Sequence, residues 1–154
     1  MCLYKVSDPE ELVKKYFLFL VDQYGFTYTK YCYTSEKVKI IIELGHKTPG
    51  IFIAKIGEPD FTKILFDRII RYFEDRDLDI FFPDHSLEHN IKYMADILKG
   101  YVPKFVDEID EWWLSVHKYQ YKFFEERYKK SGQLDDFLFT FKKEYDYLKS
   151  KGAI

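Results

Sequence analysis

The spacing of apolar residues changes twice along the chain, and each change predicts a different element. Leu12, Tyr16, Phe17, Leu20 and Tyr24 recur at three- and four-residue intervals, the stripe of a helix with one buried face. Asp8 supplies an N-cap, Pro9 suits the first helical position, and Glu11 stands where a capping box needs it. Gly25 tolerates the positive φ that closes such a helix. From Phe26 the period drops to two. Phe26 to Thr34 reads as a Tyr- and Thr-rich strand. Val38, Ile40, Ile42 and Leu44 alternate with Lys39, Ile41 and Glu43, and Ile51 to Ile56 makes a third strand. The breaks between them, 34–37 and 45–50, are too short for a parallel crossover, so the pattern predicts a three-stranded antiparallel meander that needs helices to cover it.

The helical period returns after Gly57-Glu58-Pro59. A second helix is expected from Asp60, with Phe61, Ile64, Leu65, Ile69, Tyr72 and Phe73 as its apolar stripe. A third is expected over about 86–99, stopped by Gly100. Pro103 suits the first turn of a fourth, whose stripe is Phe105, Ile109, Trp112, Val116, Tyr119 and Phe123 and whose end is Ser131-Gly132. At 1.5 Å per residue that helix is about 42 Å long, more than a small domain spans, so it bends or one end projects. A last helix over 134–149 places Phe137, Leu138, Phe141, Tyr145 and Leu148 inward. The predicted class is α+β: an N-terminal helix, a three-stranded antiparallel meander, then four helices packing on the sheet. The expectation is one domain over residues 1–154.

Composition adds one surprise and charge another. With 15 Phe, 14 Tyr and 2 Trp in 154 residues, the core must be built largely of rings, and some Tyr are left for a surface that a partner uses. The formal net charge is −2, which gives no electrostatic reason to expect nucleic acid as a partner. The balance is uneven, however: residues 58–110 hold 13 Asp/Glu against 7 Lys/Arg, while the segments before and after are each slightly basic. Glu74, Asp75, Asp77, Asp79, Asp84 and Glu88 fall within fifteen residues, relieved only by Arg76. Such a cluster steers a basic partner toward itself, although many charge runs serve only as solvated loops. Two distant cysteines and no long apolar run point to a reduced cytoplasmic setting, with no secretion signal and no membrane span.

Candidate chemistry is sparse. His85-Ser86-Leu87-Glu88-His89 has the H-x-x-E-H order of inverted zinc metallopeptidases, where two imidazoles one helical turn apart hold a metal and the glutamate acts as base. A third ligand is not marked by any motif, and the segment follows Pro83, at a helix start rather than inside one. Asp75-x-Asp77-x-Asp79 resembles the opening of an EF-hand loop, but Ile80 stands where glycine is needed and Ser86 where a bidentate glutamate is needed. No nucleophile elbow, Walker loop or dinucleotide fingerprint occurs. Cys32 reads as a small buried hydrophobe, His117 as a packed histidine, and Trp112-Trp113, flanked by Asp107, Glu108, Asp110 and Glu111, as core rather than a base-stacking platform. The residues therefore predict no cofactor and no catalytic group.

The stretch from Tyr16 to Phe26, YFLFLVDQYGF, with Gly57-Glu58-Pro59, Tyr72-Phe73 and Ala95-Asp96-Ile97-Leu98-Lys99 later, resembles a group of small bacterial proteins in which a helix ending in YGF leads into a strand meander. Many of these are similar to immunity proteins of polymorphic-toxin or contact-dependent inhibition loci. The resemblance implies a cytoplasmic inhibitor of a cognate toxin and carries no catalytic residue. Joined to the charge pattern, it gives the leading expectation: a protein-binding module that meets a basic toxin through residues 74–88. The alternatives are a metal-dependent enzyme centred on His85 and His89, and a scaffold that self-associates as a homodimer along the fourth helix.

Overall fold

The computed structural model describes residues 8–45, 49–76 and 86–154. Seven helices and five strands are found among them, in the order α1 (Pro9–Tyr16), α2 (Leu18–Asp22), β1 (Thr27–Thr29), β2 (Cys32–Thr34), β3 (Val38–Leu44), β4 (Pro49–Lys55), β5 (Ile64–Leu65), α3 (Phe66–Glu74), α4 (Leu87–Lys99), α5 (Val102–Lys130), α6 (Leu134–Thr140) and α7 (Lys142–Ser150). The sheet is antiparallel throughout, in sequence order β1-β2-β3-β4-β5.

The meander expected from the period of two forms its centre. β3 and β4 pair over seven positions, with Ile40 opposite Ile53 and Ile42 opposite Ile51. These isoleucines share one face and are buried under the helices; each removes from water an apolar side chain worth roughly 2 kcal/mol. Two strands are additional. The expected single strand over 26–34 is a hairpin, β1 and β2, turning at Lys30 and Tyr31 with φ of 42° and 62°. That is the geometry of a tight hairpin turn, which asparagine and glycine usually announce and this sequence does not. The Tyr28 hydroxyl accepts the Tyr31 N–H at 3.1 Å, and the Tyr31 carbonyl accepts from the Ile42 N–H at 2.8 Å, so neighbours hold the turn that its own residues disfavour.

The second helix also starts later than its pattern predicts. Asp60–Thr62 is a single 3₁₀ turn, and Ile64 and Leu65 then add β5 to the sheet edge opposite Ile53 and Phe52. Helical spacing at 61, 64 and 65 is equally served by a turn followed by two strand residues. The first and last helices are each broken, at Phe17 and Phe141, so that α1–α2 and α6–α7 bend around the core.

α5 is the longest of the described helices. Its 29 residues make about 43 Å of helix, and its N-terminal two-thirds buries Phe105, Ile109, Trp112, Trp113, Val116 and His117. Trp112 and Trp113 are core residues, as the helical spacing predicts. A large hydrophobic cluster fills the space between the sheet, α1–α4 and this part of α5. A second, smaller cluster of Tyr121, Phe137, Tyr147 and Leu148 joins the distal part of α5 to α6 and α7.

Leu114 packs against both clusters, and the chain reverses from α5 into α6 at Gly132. Its N–H bonds to the Lys129 carbonyl, the Gln133 N–H bonds to the Tyr128 carbonyl, and its φ is +74°. This is the Schellman closure that only glycine adopts without strain. Gly100, expected as a similar stop, instead has φ −72° and remains helical. Gly132→Ala should therefore lower stability by about 1 kcal/mol in urea unfolding, while Gly100→Ala should be neutral or mildly stabilising.

Candidate functional site

The acidic stretch spans the connection from the end of α3 to the start of α4. Glu74 closes α3 and accepts from Arg76 Nε at 3.1 Å. Asp75 caps that helix in the left-handed region, φ 51° and ψ 40°, its N–H bonded to the Arg71 carbonyl. Glu88 lies in the first turn of α4, where the helix dipole favours a carboxylate, and accepts from the Tyr16 hydroxyl at 2.8 Å. That bond to a carboxylate is the chief reason the Tyr16 hydroxyl is held above its ordinary pKa. Glu74 and Glu88 are thus engaged within the chain, and Glu88 fastens α4 to α1. Asp77, Asp79 and Asp84 lie outside the described residues.

The metal reading gains no support from the described part of its motif. Ser86 is the N-cap of α4, its Oγ accepting the His89 N–H at 3.1 Å; His85, the residue before the cap, lies outside the described residues. Among the described residues no group of three or more His, Cys, Asp or Glu is placed to hold a metal ion. Cys32 is half-buried on β2, its Sγ 3.8 Å from Thr34 Oγ1.

The most elaborate polar arrangement lies where α5, α7 and the turn after β4 meet. Trp113 Nε1 donates to the Tyr147 hydroxyl at 3.1 Å, the same hydroxyl bonds to Glu58, and Lys151 Nζ stands 3.4 Å from Glu58. Burial pushes the Tyr147 hydroxyl up to about 12, with Glu58 adding to the rise and Trp113 opposing it. His117 packs edge-on against Trp113 at 4.6 Å between ring centres and against Tyr147 at 5.6 Å. Its ring bonds to the Thr62 backbone, and burial forces its pKa down to about 4. It is a neutral, packed histidine, as its place beside the apolar stripe predicts. The network joins helix to helix, and an open groove of about 450 Å³ lies beside it, lined by Pro59, Phe61, Lys143, Asp146, Tyr147 and Ser150; the buried groups themselves are used in packing, so the network reads as structural.

The surface offers a different feature. α6 buries only Phe137. Leu138 and Phe139 are 52% and 87% exposed, with Leu134 partly so, and Asp135 and Asp136 lie exposed beside them. Leu138 and Tyr145, expected to face inward, are both exposed. The signal was present: Phe137, Leu138 and Phe139 are consecutive, and a helix cannot bury three successive side chains against one neighbour.

No helix among the described residues is long and apolar enough to cross a membrane. No known protein family, no curated protein and no solved structure matches the chain.

Proposed function

We propose that the chain is a protein-binding module of the immunity type, an inhibitor that captures a basic cognate toxin through acidic, aromatic-bearing surface. The observation that carries this reading is α6, a short helix presenting Leu138 and Phe139 to solvent beside Asp135 and Asp136. Large apolar side chains grouped on a surface and rimmed by carboxylates have the chemistry of an interface awaiting a partner with basic and apolar groups. The acidic stretch 74–88, six carboxylates against one arginine, adds a long-range field of the same sign. In this division α6 supplies anchoring contacts, and residues 74–88 accelerate encounter.

The test is binding to the product of the neighbouring open reading frame. Phe139→Ala combined with Asp135→Lys and Asp136→Lys should weaken the complex about a hundredfold or more, mainly by faster dissociation. Asp77→Lys with Asp79→Lys should instead slow association by about tenfold at low salt and have little effect at high salt. Absence of any complex, or an affinity indifferent to both sets, defeats the proposal.

A further inference from the structure

The distal third of α5 has a second face, opposite in position to the one that α6 and α7 cover. Tyr121, Phe124 and Tyr128 pack against α6 and its junction with α7. Tyr119, Phe123 and Lys130, at helical spacing on the other side, line with Lys122, Glu126 and Arg127 an open groove of about 480 Å³. This face continues the stripe that is buried further back at Phe105, Ile109, Trp112 and Val116. The helix outruns the core, and its inward stripe emerges onto the surface. Where it emerges, α3 contributes two arginines: Arg68 stacks on Phe123 and Phe124 at 5.3 and 5.0 Å, and Arg71 on Phe123 at 4.6 Å.

Much of the charge lining the groove is not spent internally. Arg68, Arg127 and Lys130 have no ion-pair partner among the described residues, and the groove's single carboxylate, Glu126, has none either; Lys122 reaches only Glu125, at 3.5 Å, one turn along its own helix. Lys122, Arg127 and Lys130 around Tyr119 and Phe123, against the one carboxylate of Glu126, form a cradle for apolar side chains with acid groups beside them. Phe123 already carries guanidinium groups on its face, which leaves less ring surface for stacking a base, while the guanidinium of Arg68 can still meet a carboxylate. We infer that this groove docks an acidic, apolar-anchored segment of a partner protein. The inference goes beyond the function proposed above and uses a surface of opposite sign.

A fluorescein-labelled peptide rich in glutamate, with phenylalanine and leucine at helical spacing, is the probe; its lysine counterpart is the control. The full-length protein should bind the acidic peptide with micromolar affinity that weakens as salt rises, and should leave the lysine peptide unbound at this face. Amide shifts in a ¹⁵N spectrum should concentrate on residues 119–130 and on Arg68 and Arg71. Arg127→Glu with Lys130→Glu, both exposed, with the fold confirmed by circular dichroism, should weaken binding about tenfold or more while leaving capture of the basic toxin intact. The α6 variants above should behave in the opposite way, so failure of one reading leaves the other standing. Shifts located elsewhere, equal binding of the double variant, or tighter binding of single-stranded RNA or anionic vesicles than of the peptide would each overturn the inference. So would concentration-dependent dimerisation by light scattering that Arg127→Glu with Lys130→Glu abolishes, since the occupant would then be a second copy.

Discussion

Replacing Trp113 by alanine should cost about 4 kcal/mol, a large fraction of what holds a domain of this size together. The indole is 1% exposed, packs on Trp112 and His117, and sends its N–H across to Tyr147 on α7. Truncation removes the apolar contacts, opens a cavity on a helix that cannot collapse into it, and leaves the Tyr147 hydroxyl without its donor. Because Trp113 lies between the two hydrophobic clusters, the loss should also uncouple α7 from the rest. Urea unfolding followed by tryptophan fluorescence (Trp112 remains) and by far-UV circular dichroism should then give two non-coincident transitions in place of one. Trp113→Phe keeps most of the packing and should cost about 1–2 kcal/mol with coincident transitions. A single, unshifted transition for Trp113→Ala would show that the joint lies elsewhere.

The second large effect is acid sensitivity set by His117. Its folded pKa of about 4 lies below the ordinary value of 6.5, chiefly through burial, against the opposing influence of the Thr62 backbone and Glu58. The unfolded chain therefore takes up a proton near pH 6.5 that the folded chain refuses until about pH 4. The stabilisation is complete above 6.5 and is lost as pH falls through that window, at up to 1.4 kcal/mol per unit, about 3 kcal/mol in all. His117→Gln retains a donor for Thr62 and removes the titration. The difference in unfolding free energy between the two proteins, measured from pH 7.5 to 4, should narrow steadily toward acid. A constant difference would mean that the imidazole is hydrated in the folded state. Asp110, held below the ordinary carboxylate range by Lys55 and Lys37, adds to acid sensitivity only at lower pH and equally in both proteins.

Much of this architecture could be read from the chain because its causes are local. The period of two at Val38–Leu44, the capping residue Asp8, and the long stripe from Phe105 to Phe123 each specify an element without outside help. What escaped prediction depends on distant partners. The Lys30-Tyr31 turn needs Tyr28 and Ile42 to hold it, and Ile64-Leu65 becomes strand because β4 offers an unpaired edge. The candidate site shows the same division. Composition reveals where carboxylates are dense, but Glu88 is held by Tyr16, seventy-two residues away, and nothing in the spacing announces that bond. The consecutive Phe137, Leu138 and Phe139 announce that some of α6 must face out, but which of them does, and where the basic groove on α5 lies, could be located only once it was clear which side of each helix had been covered.

A net charge of −2 conceals how strongly this molecule is polarised. Along α5 the first sixteen residues carry four carboxylates and one lysine, and the last thirteen carry five cations and two carboxylates. Arg127, Lys129 and Lys130 fall in the last turn, where the peptide dipoles favour positive charge, whereas the four carboxylates, at 107–111, lie beyond the first turn and gain little from them. The carboxylates at 107–111, of which Asp110 is paired with Lys37 and Lys55, and the last-turn cations are nevertheless about 30 Å apart, well beyond the screening distance at cellular ionic strength, so neither group cancels the other's field at the surface. An approaching protein would meet a rod with unlike poles and be turned by it before touching, which fixes the orientation of a complex earlier than any contact does.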